Sequence, residues 1–209
     1  DKYPSLSPYN YCANNPIKYV DPDGMRIDDP LKSKYSDPVK NPRIASSGSS
    51  GRSGGRFGEG VRNGGRSSHW GTDIYASKGT EITPIAAGEI ISQGSGRGWG
   101  NYVMIKSELT EGQFLFTVYA HVSSDFKKKI GDNVDIDDVI AIQGNTGNAA
   151  DGQRTGEEHV HIETRIGNTW ANGEKKNPEN FMKTKFDKNG EPRKVDNTWR
   201  TDKEVKNQY

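Results

Sequence analysis

Cysteine is nearly missing from this chain: Cys12 stands alone among 209 residues, so no disulfide can close within it and no zinc site can be built on several of its thiolates, and its place outside the histidine-bearing region argues against redox chemistry. Net charge is nearly missing too. The 29 basic and 28 acidic side chains leave +1 and are spread along the sequence, which gives no electrostatic footprint for a nucleic acid or an anionic membrane. Apolar material is scarce, at 30% of residues with a mean hydropathy of −0.93, and no apolar run approaches the roughly 18 residues of a membrane span. Residues 1–30 lack the basic-then-apolar order of a signal peptide. A chain that starts at Asp1 rather than Met reads as a fragment of something larger, so this lack says little about location. The length suits one medium domain with polar ends.

Histidine is also rare, with four residues in all, yet each falls in or beside a β-type run. In Glu158-His159-Val160-His161-Ile162-Glu163 two imidazoles sit two residues apart, and side chains at i and i+2 of a strand leave the same face. Two imidazoles do not make a catalytic zinc site, which takes three protein ligands and an open position. Further donors are offered by Ser68-His69-Trp70-Gly71-Thr72-Asp73-Ile74, where imidazole and carboxylate stand in an H-x-x-x-D arrangement. His121 ends the apolar run Phe114-Leu115-Phe116-Thr117-Val118-Tyr119-Ala120. Taken singly, His121 is compatible with a structural role and His69 with Asp73 with a surface hydrogen-bonded pair. Taken together, their type, number and placement point to a metal site.

Along the chain, residues 1–30 carry the turn signals Asn15-Pro16 and Asp21-Pro22-Asp23-Gly24. Residues 31–56 run through Lys, Ser and Pro into Ala45-Ser46-Ser47-Gly48-Ser49-Ser50-Gly51, a composition that predicts a flexible linker. From Phe57 the pattern becomes short β-type runs separated by glycines, near 72–76, 81–86, 88–93, 101–106, 114–121, 134–142 and 158–166. That pattern predicts an all-β fold of antiparallel strands, with Pro84 at an edge or bend. Gly94-Ser95-Gly96-Arg97-Gly98-Trp99-Gly100 lacks the spacing and following helix of a phosphate loop and is expected to be a mobile loop. No helix of note is expected before Lys176. Residues 183–209 read as a charged appendage, with a hairpin turn at Asp187-Lys188-Asn189-Gly190.

Two resemblances sharpen this reading. From Phe57 to Met182 the chain resembles the lysostaphin/LytM-type zinc endopeptidases of bacterial peptidoglycan, through His69-Trp70-Gly71-Thr72-Asp73-Ile74, Gly100-Asn101-Tyr102-Val103-Met104-Ile105, Tyr119-Ala120-His121-Val122-Ser123, Gly144-Asn145-Thr146-Gly147 and His159-Val160-His161-Ile162-Glu163, in that order. The resemblance implies an antiparallel β-sheet or β-sandwich with long loops lining a groove, and one Zn2+ held by His69, Asp73 and His161. It also implies that His121 and His159 face the bound water and substrate, either one as base or as oxyanion stabiliser. Glu163 shares the face of the two histidines, so a supporting role behind a ligand or in the groove and an ordinary polar strand position are both open. The chain departs from the family's short Thr-Gly-Pro before H-x-H, where Thr146-Gly147 is followed by the longer 148–158, expected to edge the groove. The second resemblance is of Tyr9-Asn10-Tyr11 and Asn14-Asn15-Pro16-Ile17-Lys18-Tyr19-Val20-Asp21-Pro22-Asp23-Gly24 to the end of an Rhs/YD-repeat core, which joins a β-shell to a C-terminal toxin domain.

These imply four parts: an Rhs-core-like tail at 1–30, a linker at 31–56, a peptidase domain at 57–182 and an appendage at 183–209. The function implied is a secreted or delivered endopeptidase acting on peptidoglycan peptides in the periplasm or wall of a target bacterium, with an immunity protein in its producer. A catalytically silent module that binds peptidoglycan or regulates another hydrolase is the alternative. A nuclease toxin would also suit an Rhs tail, but the chain has no basic patch. Neither a nucleic acid nor a membrane span is expected.

Overall fold

The structure, a computed structural model, describes residues 34–46, 53–59, 68–110, 112–149 and 157–193. The Rhs-like stretch and Cys12, the middle of the 148–158 insertion and the chain after residue 193 lie outside the described residues. The architecture is antiparallel β. Among the described residues nine strands follow in order: β1 (Thr72–Tyr75), β2 (Glu81–Ile82), β3 (Gly88–Gly96), β4 (Gly100–Thr110), β5 (Gln113–Val122), β6 (Asn133–Val134), β7 (Ala141–Ile142), β8 (His159–Gly167) and β9 (Glu174–Lys176). Seven form one sheet in the order β1-β8-β5-β4-β3-β6, with β9 beside β8, and β2 pairs with β7 in a two-stranded sheet. Among the described residues, helix is confined to three short 3₁₀ turns, at Ser53–Gly55, Gly147–Ala149 and Pro178–Phe181.

Alternation along the strands sets the two faces of the large sheet. Ile90, Val103, Ile105, Leu115, Tyr119, Val160 and Ile162 are fully buried and build the main core. The opposite face carries a smaller cluster of Met104, Val118 and Ala120, roofed by Trp99, Tyr102 and Trp170. Because Val160 and Ile162 point into the core, period two sends His159, His161 and Glu163 to that other face. The central position of β8, between β5 on one side and β1 and β9 on the other, makes it the rigid spine of the site.

Three sequence expectations change. The 134–142 run is split into β6 and β7, because Asp135 and Asp138 close a turn: the Asp138 N–H donates to the Asp135 carbonyl (3.0 Å) and the Asp135 N–H to the Asp138 carboxylate (2.8 Å). The 94–100 stretch is not a free loop but the end of the β3–β4 hairpin, with Gly96 paired to Gly100. Residues 34–46, inside the expected linker, are packed: Val39, Ile44 and Ala45 are buried, and Ile44 bridges to Ile74 of β1. Besides these apolar side chains, each fully buried one being worth roughly 1.5–3 kcal/mol, backbone hydrogen bonds seat the segment: the N–H groups of Ser36, Ile44 and Ala45 donate to the carbonyls of Ile85, Gly190 and Asp73. At the other end Phe186 joins the same core, and the Asp187–Gly190 turn closes with Gly190 at φ +78°.

Candidate metal centre

The pairing of β1 with β8 brings the first two candidate residues together. Asp73 lies directly opposite His161 in that register, and directly opposed residues of an antiparallel pair project on one face. Asp73 Oδ1 is 2.7 Å from His161 Nδ1. His69 enters from the segment before β1, with Nε2 3.2 Å from Asp73 Oδ1 and 3.1 Å from His161 Nδ1. His69 and Asp73 are buried and His161 nearly so, with relative exposures of 5%, 4% and 9%. Gly71 makes the approach possible, since a Cβ built on it would collide with the His161 ring and the Ile162 carbonyl.

His121 reaches the same place by an irregularity. Asn101 pairs with Val122 and Tyr102 with Ala120, so His121 is an extra residue bulged from β5. Its φ is +65°, a left-handed conformation that is uncommon for a residue with a Cβ. The surrounding backbone imposes it: the His121 N–H donates to the Trp99 carbonyl (2.8 Å), and its carbonyl accepts from Gly144 and Thr146. Strict alternation would leave His121 on the core side with Tyr119. The bulge turns the ring instead onto the histidine face, its centroid 5.1 Å from that of His159 and 5.8 Å from that of His161. His159 Nε2 lies 3.7 Å from Asp73 Oδ1.

Every imidazole is anchored on its outward side. Nδ1 of His69 meets the Arg56 carbonyl at 3.0 Å, Nδ1 of His121 the Thr146 carbonyl at 2.8 Å, and Nδ1 of His159 the Glu157 carbonyl at 2.7 Å. In His161 the roles are exchanged, with Nε2 meeting the Glu163 carboxylate at 3.2 Å. An N–H donated outward fixes the tautomer and leaves the other nitrogen's lone pair inward. The anchors are themselves held. Arg56 pairs with Glu179 (3.1 Å) and donates to the Asp187 carbonyl; Glu157 takes a two-point contact from Arg43 at 2.7 and 2.9 Å. The Gln143 amide donates to the His159 carbonyl at 2.6 Å. None of Arg56, Gln143, Thr146 or Glu157 was a sequence candidate, because three of the anchors are backbone carbonyls whose side chains carry no signal.

The electrostatics follow from this packing. Burial works to raise the Asp73 carboxyl, but His159 and the hydrogen bonds from His161 and His69 hold it well below the usual carboxylate range. Burial would lower His161, but Asp73 and Glu163 raise it to about 9. His121 is pushed down to about 3 by burial and by His161 and His159, against the pull of Asp73.

The donor set fits a zinc ion. Ligands about 2.0–2.1 Å from a tetrahedral centre stand about 3.3–3.4 Å apart, close to the 2.7–3.2 Å edges of the triangle formed by His69 Nε2, Asp73 Oδ1 and His161 Nδ1. Two imidazoles and one carboxylate thus converge on one point, with two further imidazoles beside them, on one face of an antiparallel β-sheet, a group that could hold a metal ion. Residues 67–178, more than half of the chain, match Peptidase family M23, and the chain belongs to that family. Over 110 residues it is 36% identical to the DD-carboxypeptidase/endopeptidase Mpg of Neisseria meningitidis, covering 53% of this chain and 22% of Mpg. It is 28% identical over 118 residues to the glycyl-glycine endopeptidase ALE-1 of Staphylococcus capitis, covering 56% and 29%. This chain therefore matches less than a third of the length of either relative. Among solved structures, the prophage-encoded M23 protein EnpA of Enterococcus faecalis superimposes with a TM-score of 0.50 at 25% identity, covering 70% of this chain and 96% of that domain.

Proposed function

We propose that this chain is a zinc-dependent endopeptidase that hydrolyses peptide bonds of bacterial peptidoglycan, with His69, Asp73 and His161 as metal ligands and His121 and His159 as the groups that handle protons and the carbonyl oxygen. The observation that carries the reading is the donor triangle, 2.7–3.2 Å on each edge, with the other nitrogen of both imidazoles tied outward. Bound there, zinc would polarise the scissile carbonyl and acidify water. The remaining work falls to the chain. His121 and His159 each donate Nδ1–H to a backbone carbonyl, so the Nε2 of each accepts a proton when neutral and donates one when charged. One of the pair takes the proton of the attacking water; the other faces the developing oxyanion. The names of Mpg and ALE-1 support a peptide-bond reaction on cell-wall material. The Rhs-like string at 9–24 supports delivery to the wall of a target bacterium as the C-terminal part of an Rhs-type protein, with an immunity protein guarding the producer.

Zinc content and turnover of purified peptidoglycan, measured on the same five variants, test this. His69→Ala, Asp73→Ala and His161→Ala should lose both. His121→Ala and His159→Ala should keep about one zinc while the rate falls by roughly 10²–10⁴, the range for losing a positioned acid or base. Full turnover by metal-free protein would end the reading, and zinc binding without turnover would leave a silent wall-binding module.

A further inference from the structure

The tip of the β3–β4 hairpin touches the metal centre twice through one residue. The Trp99 indole Nε1–H donates to Glu163 Oε1 at 2.8 Å, the same oxygen that meets His161 Nε2 at 3.2 Å. The Trp99 carbonyl accepts the N–H of His121 at 2.8 Å. The indole is wedged edge-on between Tyr102 and Trp170, with centroids 5.4 and 5.8 Å away. The hairpin tip is itself locked to the next loop, since the Asn148 N–H donates to the Gly98 carbonyl (2.9 Å) and the Asn101 N–H to Thr146 Oγ1 (2.9 Å). Gly100 and Gly147, at φ +62° and +66°, bring the two backbones into contact that a Cβ on either would prevent.

We propose that Trp99, acting through Glu163, is a positioning residue that fixes the His161 imidazole for metal binding, a step that rests on the zinc reading above. A carboxylate behind a metal-binding imidazole sets its tautomer and strengthens its donor nitrogen, and losing such a partner typically costs 10–100-fold in affinity. A carboxylate held only by that imidazole keeps its χ freedom and can swing with the ring. The indole N–H removes that freedom, because it binds the same oxygen from a residue fixed by aromatic packing on both sides. In sequence Trp99 is hidden among glycines, 62 positions from His161.

The test is zinc affinity, by competition with a chromophoric chelator, together with the visible spectrum of the cobalt-substituted protein. Glu163→Ala should weaken zinc by about 10–100-fold. Trp99→Phe, which keeps an aromatic ring and the backbone carbonyl, should weaken it by about 3–10-fold, less than removing the carboxylate itself, because Glu163 stays but is no longer pinned. Both should shift the cobalt bands. The double variant should match Glu163→Ala alone, because Trp99 has nothing left to act through. Wild-type affinity and spectrum in Trp99→Phe, or effects that simply add in the double variant, would overturn the proposal and leave the indole a packing residue. Should Trp99→Phe fail to fold, Glu163→Gln gives a second reading: intermediate affinity supports the relay and wild-type affinity refutes it. Failure of the wild type itself to bind zinc would instead sink the functional reading.

Discussion

Gly71→Ala isolates the steric condition on the site, because it adds one methyl group and changes no donor. The new Cβ would stand 2.7 Å from His161 Nε2 and closer still to Cε1 and to the Ile162 carbonyl. The His161 ring can leave its place between Asp73 and Glu163, but the Ile162 carbonyl is backbone and yields only if β1 also backs away from β8 in the register that sets Thr72 opposite Ile162. The substitution should therefore loosen that strand pair as well as displace the ring. Overpacking of this kind costs about 1–3 kcal/mol, or a fall of roughly 3–9 °C in the Tm of the metal-free protein at this size. The larger effect should appear with zinc. At a concentration 100-fold above the wild-type Kd, zinc stabilises by about 2.7 kcal/mol; an affinity lowered about 100-fold leaves about 0.4 kcal/mol at the same concentration. Scanning calorimetry with chelator and with zinc reads both numbers on one sample. Gly96→Ala is the control, since its Cβ would meet only the Tyr102 ring at 3.7 and 3.9 Å. A Gly71→Ala protein with the full zinc-dependent rise in Tm would refute the claim that this close approach holds His161 in place.

Two other predictions address the boundaries and the charge of the site. Ile44→Ala should destabilise the fold by about 2–5 kcal/mol in urea unfolding, as expected for truncating a fully buried aliphatic residue; a change near zero would return residues 34–46 to the status of a linker. His161, raised to about 9, should be protonated at pH 7 in metal-free protein, so zinc uptake should release about one proton and its apparent affinity should rise with pH until about 9. The same raised value stabilises the metal-free fold below the unfolded histidine range near pH 6.5 and loses that contribution as pH climbs toward 9. Proton release in weakly buffered indicator solution and metal-free Tm against pH check the two signs.

What the sequence carried was spacing. The two-residue period placed His159 and His161 on one face, and the alternation around Val160 and Ile162 placed that face away from the core. Asp73 could be nominated by chemistry, but its place opposite His161 is a matter of strand register between segments 88 residues apart. The carbonyls of Arg56, Thr146 and Glu157 could not be read at all, since a backbone acceptor is the same at every position. Trp99 is concealed because a glycine-rich run predicts mobility, whereas Gly100 and Gly147 serve close backbone contact. Segment 34–46 gives no strand or helix signal because its apolar residues, among them Tyr35, Val39, Ile44 and Ala45, are too few and too unevenly spaced to form a period. Strand β9, Glu174-Lys175-Lys176, lies on the sheet edge and has no apolar side to betray it.

The bulge at His121 makes the sheet less regular than it could be. A non-glycine residue held in the left-handed region costs of order 1–3 kcal/mol, and deleting one residue there would restore continuous pairing between β4 and β5. Such a chain should fold more firmly, and it would take the His121 ring out of the histidine cluster. Automated redesign that rewards ideal strands would select that deletion. Anyone hardening this protein for use should therefore screen for activity alongside melting temperature, since here one extra residue in a strand trades regularity for an imidazole in the histidine cluster.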